Sequence, residues 1–265
     1  MIGVADIFGS LAGRAGRVLA PSMWMLLFGV PGLIVLGLLV DGDVIARDMS
    51  IGAVAGLASA LALLLLYTGY SRTSIGIVAP TVAVVSAAVP VTVGIIVDGA
   101  PSAIVVIGIF VGLAAIVLIG WAPDAKAAGN TRLAVALGAG SGIGFGVMAV
   151  LLGFTSEDAG VWPALATRVI AAATLAVGGL VLRRPHLPYA YTWKYIVPGA
   201  VLASIGIGLF TLSAQRDVTI AGLLVQSAFA VTIIGGVILY GERSSVSQRL
   251  GFVAGAVALV FISLG

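Results

Sequence analysis

The chain has 265 residues, of which 61% are hydrophobic and 9% are charged, and its mean hydropathy is +1.23. A soluble globular chain has about 25% charged residues, so this composition excludes a water-soluble protein and indicates an integral membrane protein. The net charge of +3 is too small for a nucleic-acid surface, and the absence of cysteine excludes disulfides and cysteine-ligated metals.

Apolar stretches of helical length follow one another along the chain, separated by short polar turns. A membrane-spanning helix needs about 20 apolar residues, whereas the strands of a membrane barrel are about ten residues of alternating polarity. The sequence therefore predicts an all-α polytopic membrane protein with about ten transmembrane helices. The predicted spans are 1–17, 19–40, 51–67, 74–97, 102–121, 133–154, 161–182, 195–212, 218–240 and 250–265.

The first predicted span is the weakest, because Asp6, Arg14 and Arg17 interrupt its apolar residues. The sixth span is rich in glycine, which occupies every second position from Gly138 to Gly146. On a helix these glycines lie on two opposite sides, so neighbouring helices can approach closely. A nucleotide-binding loop is the alternative, but the spacing is not G-x-G-x-x-G and no strand signal precedes it.

The two halves of the chain repeat the same order of helices and turns. At a shift of 143 residues Gly56 coincides with Gly199, and at a shift of 142 Pro21 coincides with Pro163. Five helices per repeat is an odd number, so the repeats must lie inverted in the membrane, as in many secondary transporters whose substrate site is near the midplane. We expect a first repeat at 1–122, a linker at 123–130 and a second repeat at 131–265.

The same alignment leaves the first helix incomplete. The counterpart of Leu133 to Ser141 would precede Met1. We therefore expect the first helix to be short or poorly packed, or the true start of the chain to lie upstream.

Two short motifs in the second half carry a resemblance to a known family. Tyr240-Gly241-Glu242-Arg243 is similar to a Leu-Gly-Glu turn after the ninth helix, and Pro163 followed by Arg168 is similar to a Pro…Arg pattern in the second helix of a repeat. Together with the ten-helix organisation, these motifs resemble the EamA-like branch of the drug/metabolite transporter superfamily.

The first half departs from these motifs, since Leu26 stands at the place of Arg168 and Asp98-Gly99 at the place of Glu242. The resemblance implies two inverted five-helix repeats that transport amino acids, other metabolites or drugs. It also implies a protein that is not an enzyme. Separately, we expect no cofactor.

Two ionisable residues in the predicted spans are candidates for function. A charge at the centre of a spanning helix costs about 2.5–3.5 kcal/mol on insertion and usually faces a partner or a water-filled space. Arg168 is a candidate contact for a carboxylate or phosphate of a substrate; alternatively it reaches the interface, because it follows Trp162 by six residues. Asp6 is a candidate proton site.

Further polar residues are candidates for the lining of a substrate pathway, namely Tyr67, Ser141, Gln226 and Ser227. The alternative for the serines and Gln226 is hydrogen bonding between neighbouring helices, and the alternative for Tyr67 is an interfacial anchor. His186 lies in a loop between two prolines without a companion histidine or carboxylate cluster, so we expect neither a metal site nor a catalytic role there.

The loops after the odd-numbered spans carry most of the lysine and arginine residues. Cytoplasmic loops hold such an excess, so we expect this face to be cytoplasmic and both chain ends to face outward. The basic residues of these loops are Arg14, Arg17, Arg72, Lys126, Arg132, Arg183, Arg184, Lys194, Arg243 and Arg249.

The sequence favours a secondary transporter of the cell membrane, an exporter or exchanger of a small metabolite, amino acid or drug, that works by alternating access between two inverted repeats. Its expected partners are the substrate, a proton or other coupling ion, and the lipid bilayer, with no nucleic acid; the oligomeric state stays open. The alternatives are a structural or assembly subunit and a membrane enzyme, which would need clustered catalytic side chains at a membrane face.

Overall fold

The computed structural model describes residues 1–13, 17–98, 102–120, 130–216, 231–232, 235, 238–239 and 246–264, and every regular element in this part of the chain is helical. The α-helices with defined bounds are α1 (Ile2–Gly13), α2 (Leu19–Leu39), α3 (Ala46–Arg72), α4 (Ile75–Asp98), α5 (Ala103–Gly120), α6 (Thr131–Gly153), α7 (Trp162–Val181), α8 (Trp193–Arg216) and α9 (Val246–Ser263). Short 3₁₀ turns occupy Glu157–Ala159 and Ala190–Thr192.

Five of the described helices, α2, α3, α6, α7 and α8, are long and apolar enough to cross a membrane. At about 1.5 Å per residue, each is close to or longer than the hydrocarbon core of about 30 Å. The all-α, multi-pass class predicted from sequence is therefore confirmed for the described residues. The predicted total of ten helices includes a span, 218–240, that lies mostly outside the described residues.

Two helices are much longer than the sequence predicted. α3 begins at Ala46 and ends at Arg72, so the stretch Tyr70-Ser71-Arg72 continues the helix and does not form a turn. α8 likewise continues through Gln215 to Arg216. The predicted limits followed hydropathy alone, but helices extend past the hydrocarbon into water. Asp48 in the first turn of α3 and Arg72 in its last turn also stabilise the longer helix, because their charges interact favourably with the helix dipole.

Glycine brings α6 into close contact with two neighbouring helices, as the sequence predicted. Gly138, Gly142 and Gly146 face α4, whereas Gly140 and Gly144 face α3. A Cβ atom at Gly142 would lie 2.7 Å from the nearest α4 side-chain atom, and one at Gly144 would lie 2.9 Å from the nearest α3 atom. These backbones therefore pack at distances that leave no room for side chains.

The helix α1 is short, as expected, but it is well packed. Its 12 residues correspond to about 18 Å, roughly half of the bilayer core. Ile2 contacts Gly206 in the middle of α8, and Ala5 and Phe8 lie beside Gly199 of the same helix. α1 therefore extends from mid-membrane depth to one end of the bundle, between α8 and α3.

The remaining helices pack in a regular pattern. α3 lies along α6 and α7, α8 lies along α1 and α2, α2 crosses α7, and α5 runs beside α9. The centre of the bundle is therefore formed where α2, α3, α7 and α8 meet, and the candidate residues of α3 and α7 lie there.

Candidate functional site

Arg168 lies where α2, α7 and α8 meet. Its side chain is 7% exposed, and its Nη1 atom is 3.4 Å from the position that a Cβ atom on Gly29 would take. Ser204 of α8 contacts the same side of Gly29. Because Gly29 is near the middle of α2, the guanidinium group lies deep in the membrane and not at its surface.

The Arg168 guanidinium makes no hydrogen bond and no ion pair with any described residue; the ion pairs found there join Arg47 to Asp48 and Arg216 to Glu157. Burying an unpaired charge is unfavourable. Intramembrane charges generally face a partner or an aqueous pathway. This arrangement is typical of a position that receives a ligand.

Tyr67 connects Arg168 to the first helix. Its side chain is 4% exposed, and its hydroxyl is within electrostatic range of both Asp6 and Arg168. The ring occupies the space that a side chain at Gly9 of α1 would need, and its centroid is 6.2 Å from that of Tyr70. Tyr67 is thus buried inside the bundle, which argues against an interfacial anchor.

Asp6 is also buried, with 7% of its surface exposed. Its carboxyl group is hydrogen-bonded to Thr232, whose hydroxyl lies 3.3 Å from the carbonyl oxygen of Gly3. Within the described chain, no lysine or arginine forms an ion pair with Asp6. The N-terminal ammonium group of Met1 is within electrostatic range of Asp6. Tyr67 therefore lies within electrostatic range of two buried ionisable groups, Asp6, which interacts with Thr232 and the N-terminus, and Arg168, which has no described partner for a hydrogen bond or ion pair.

The other predicted residues lie elsewhere. Ser141 is fully buried and donates a hydrogen bond of 2.9 Å from Oγ to the carbonyl oxygen of Ala62, so it joins α6 to α3. Gln226 and Ser227 are outside the described residues. The His186 Nε2 atom is 3.3 Å from the carbonyl oxygen of Ala176, and no group of three or more potential metal ligands occurs among the described residues.

Sequence reasoning missed Gly29, Ser204 and Thr232. Ser204 is fully buried in the middle of α8 and donates 2.7 Å to the carbonyl oxygen of Ala200. A polar residue well inside a span was the signal that singled out Ser141, and the same signal would have found Ser204. Gly29 carries no such signal, because its role depends on a helix that is distant in sequence.

One end of the bundle, which we call the acidic end, is formed by the loops at 40–45 and 154–161. The backbone N–H of Asp43 donates 2.6 Å to the carbonyl oxygen of Asp158, and Trp162 Nε1 donates 3.0 Å to that of Gly42. Gly160 has a φ of +52° and lies against Gly42. This contact joins a segment before residue 121 to one after residue 130.

Two further polar contacts strengthen the acidic end. Ser156 donates from its backbone N–H, at 3.2 Å, and from its hydroxyl to Oδ2 of Asp48, which is 1% exposed. Gln215 donates 2.9 Å to the carbonyl oxygen of Gly160. The loops therefore hold the ends of α2, α3, α6, α7 and α8 together.

The opposite end, which we call the basic end, has a corresponding contact. Arg17 donates 3.0 Å to the carbonyl oxygen of Leu187 and lies over the ring of Tyr189, 4.1 Å from its centroid. Trp24 Nε1 donates 2.8 Å to the carbonyl oxygen of His186. In this conformation, segments from before residue 121 and after residue 130 are joined at both ends of the bundle.

These two ends allow a direct test of orientation. We expect the basic end to be cytoplasmic because of its excess of arginine and lysine. The chain has no cysteine, so the single variants Arg184→Cys and Asp158→Cys, both at exposed positions, serve as matched reporters. A membrane-impermeant maleimide applied to intact cells should label Asp158→Cys and leave Arg184→Cys unlabelled; the reverse pattern would contradict the assignment.

The comparisons with known proteins agree with a membrane transporter. No protein-family profile matches the chain. The chain is similar to the probable glucose uptake protein GlcU of Bacillus cereus and of Bacillus anthracis, each 27% identical over 138 residues, 52% of this chain and 47% of the relative. The GlcU of Priestia megaterium is 26% identical over 133 residues, which are 50% of this chain and 45% of the relative. The matches thus span about half the length of these relatives.

A crystal structure that is 19% identical gives a TM-score of 0.65 and covers 98% of this chain and 96% of that chain. At this identity the likeness shows the fold alone. The chain is a multi-pass integral protein of the cell membrane. The comparisons do not name the drug/metabolite transporter superfamily, so membership in it stays a prediction.

Proposed function

We propose that the protein is a secondary transporter that takes up a small polyhydroxylated metabolite of hexose size. The observation that carries the proposal is the buried group formed by Arg168, Tyr67 and Asp6 at the meeting of α1, α2, α3, α7 and α8. The names of the GlcU relatives support a sugar-like substrate and uptake, whereas the sequence alone suggested export or exchange.

We also propose that residues 1–122 and 131–265 are inverted repeats that move relative to each other. The packing pattern supports this division. In the repeat alignment α2 corresponds to α7 and α3 corresponds to α8, so the contact between α3 and α7 has its counterpart in the contact between α8 and α2. In detail, Gly56 of α3 packs on Thr167 of α7, and its counterpart Gly199 packs on Met25 of α2. Alternating access would break the contacts of the acidic end and of the basic end in turn.

Asp6 is the residue that we propose as the proton site. A carboxyl group changes charge when it binds a proton, and Tyr67 lies within electrostatic range of both Asp6 and Arg168. Protonation of Asp6 would therefore change the field at Tyr67, which neighbours Arg168, where we place the substrate. A structural subunit has no need of two buried ionisable groups inside its spanning helices, one of them an arginine without a described partner.

Uptake into proteoliposomes tests this function. A gradient of one pH unit is worth about 1.4 kcal/mol, so symport of one proton supports about tenfold accumulation of a neutral sugar such as labelled glucose. We expect Asp6→Asn to lose this accumulation, while the control Asp43→Asn, at an exposed loop position, retains it. Accumulation that is equal in Asp6→Asn and the parent protein would exclude Asp6 as the proton site.

A further inference from the structure

We propose that the physiological substrate carries a single carboxylate, so that its class is a polyhydroxylated monocarboxylate, such as a sugar acid, and not a neutral sugar. This inference rests on the proposed function, because it assigns a substrate class to the same site.

The first step is the lack of a counter-charge for Arg168. In the described helices, Asp6 is the only carboxylate away from a helix end, since Asp48 lies in the first turn of α3 and Asp98 is the last residue of α4. Asp6 is hydrogen-bonded to Thr232 and forms no ion pair with Arg168. The guanidinium therefore remains a buried cation without an anionic partner in the described part of the chain.

The second step is the geometry around the guanidinium. An arginine offers five N–H donors in a planar fork that matches the two oxygens of a carboxylate. The absence of a side chain at Gly29 lets Nη1 of Arg168, Oγ of Ser204 and the carbonyl oxygen of Ala200 come together at one point beside α2. A carboxylate that binds the guanidinium would supply the missing negative charge and at the same time satisfy its unbonded donors.

Hydroxyl groups beside the guanidinium can bind the rest of the substrate. The Ser204 hydroxyl donates to Ala200 and so has lone pairs left to accept a hydrogen bond. Its Oγ and the Arg168 Nη1 both lie beside Gly29. Tyr67 supplies a second hydroxyl within electrostatic range of Arg168. Hydroxyl groups next to an arginine suit a ligand that combines hydroxyls with an acid.

The fourth step limits the acid to one charge. Arg168 is the only lysine or arginine in the interior of a described helix, because the others in helices lie within the first or last turns. A dianionic phosphate would leave one negative charge uncompensated in the membrane interior, which is unfavourable. With Asp6 protonated, as the proposed proton symport requires, a monocarboxylate leaves none.

Three matched probes test the proposal: labelled D-glucuronate, its neutral amide D-glucuronamide, and D-glucose. Each is offered at the same low concentration to proteoliposomes whose membrane potential is clamped at zero, so that the potential does not act on the anion. We expect the initial uptake rate of glucuronate to exceed those of glucuronamide and glucose at least tenfold. In Arg168→Gln this ratio should fall below about threefold, and in Arg168→Lys, which keeps the charge, a clear preference for the acid should remain.

The outcomes separate the inference from the proposed function. If the parent protein transports glucose at least as fast as glucuronate, the function stands and the acidic substrate class is wrong. If it transports none of the probes, both are wrong. The comparison within the parent protein decides the matter even if Arg168→Gln fails to fold, and an unchanged acid preference in folded Arg168→Gln would also overturn the role of the arginine.

Discussion

Replacing Arg168 by alanine should lower the uptake of the transported substrate by about 10- to 150-fold while leaving membrane insertion intact. A hydrogen bond to a charged group contributes about 1.5–3 kcal/mol, and every 1.4 kcal/mol corresponds to about a factor of ten. Folding should not suffer, because Arg168 makes no hydrogen bond or ion pair with a described residue. Removing a buried unpaired charge is expected to stabilise the protein.

The measurement is initial uptake into proteoliposomes together with the amount of inserted protein and its thermal unfolding midpoint in detergent. Arg216→Ala is the matched control, because this arginine lies at the acidic end and forms an exposed ion pair of 3.4 Å with Glu157, a type of contact worth about 0–1 kcal/mol. Parent-like uptake in Arg168→Ala would exclude Arg168 as a substrate contact. A large fall in its unfolding midpoint would show a structural role instead.

Local patterns allowed part of the fold to be predicted. The alternation of Gly138 to Gly146 indicated a helix with two bare sides, and these sides meet α4 and α3. The repeat alignment indicated a short first helix, and α1 has 12 residues. The first feature depends on residues close together in sequence and the second on the comparison of the two halves, so periodicity and the internal repeat were sufficient to identify them.

The candidate site shows where such patterns stop. Arg168 was visible as a charge in an apolar span, but its proximity to Gly29, Ser204 and Tyr67 depends on contacts between helices that are far apart in sequence. An arginine six residues after Trp162 is long enough to extend its side chain to the membrane interface. The sequence therefore left open whether Arg168 lies at the interface or inside the bundle. The packing of α2 and α8 around Arg168 is what keeps the guanidinium inside.

The helix ends show a related limit. Asp48 lies between the predicted spans 19–40 and 51–67, yet in the structure it lies in the first turn of α3 and accepts two hydrogen bonds from Ser156. Its partner is more than 100 residues away in sequence. The contacts at the acidic end therefore became visible only in three dimensions, although each loop taken alone has an ordinary polar composition.

The second large effect is expected at the crossing of α3 and α7. Gly52 faces the carbonyl oxygen of Pro163 so closely that a Cβ atom would overlap it, and Thr167 Oγ1 donates 2.9 Å to the carbonyl oxygen of Gly52. At Gly56, a Cβ atom would lie 2.7 Å from the carbonyl oxygen of Thr167. Because these neighbours are backbone atoms of a helix, they cannot move aside as a flexible side chain would.

Gly52→Leu should therefore lower the free energy of unfolding by about 3 kcal/mol, the upper part of the usual range for overpacking. The matched control is Gly178→Leu in α7, where nothing lies within 4 Å of an added Cβ atom. Both substitutions gain helix propensity of about 0.8 kcal/mol, so their difference isolates the packing term. We expect Gly178→Leu to unfold at or above the parent midpoint in detergent, and Gly52→Leu to unfold well below it; equal midpoints for the two variants would show that α3 and α7 do not pack in this way.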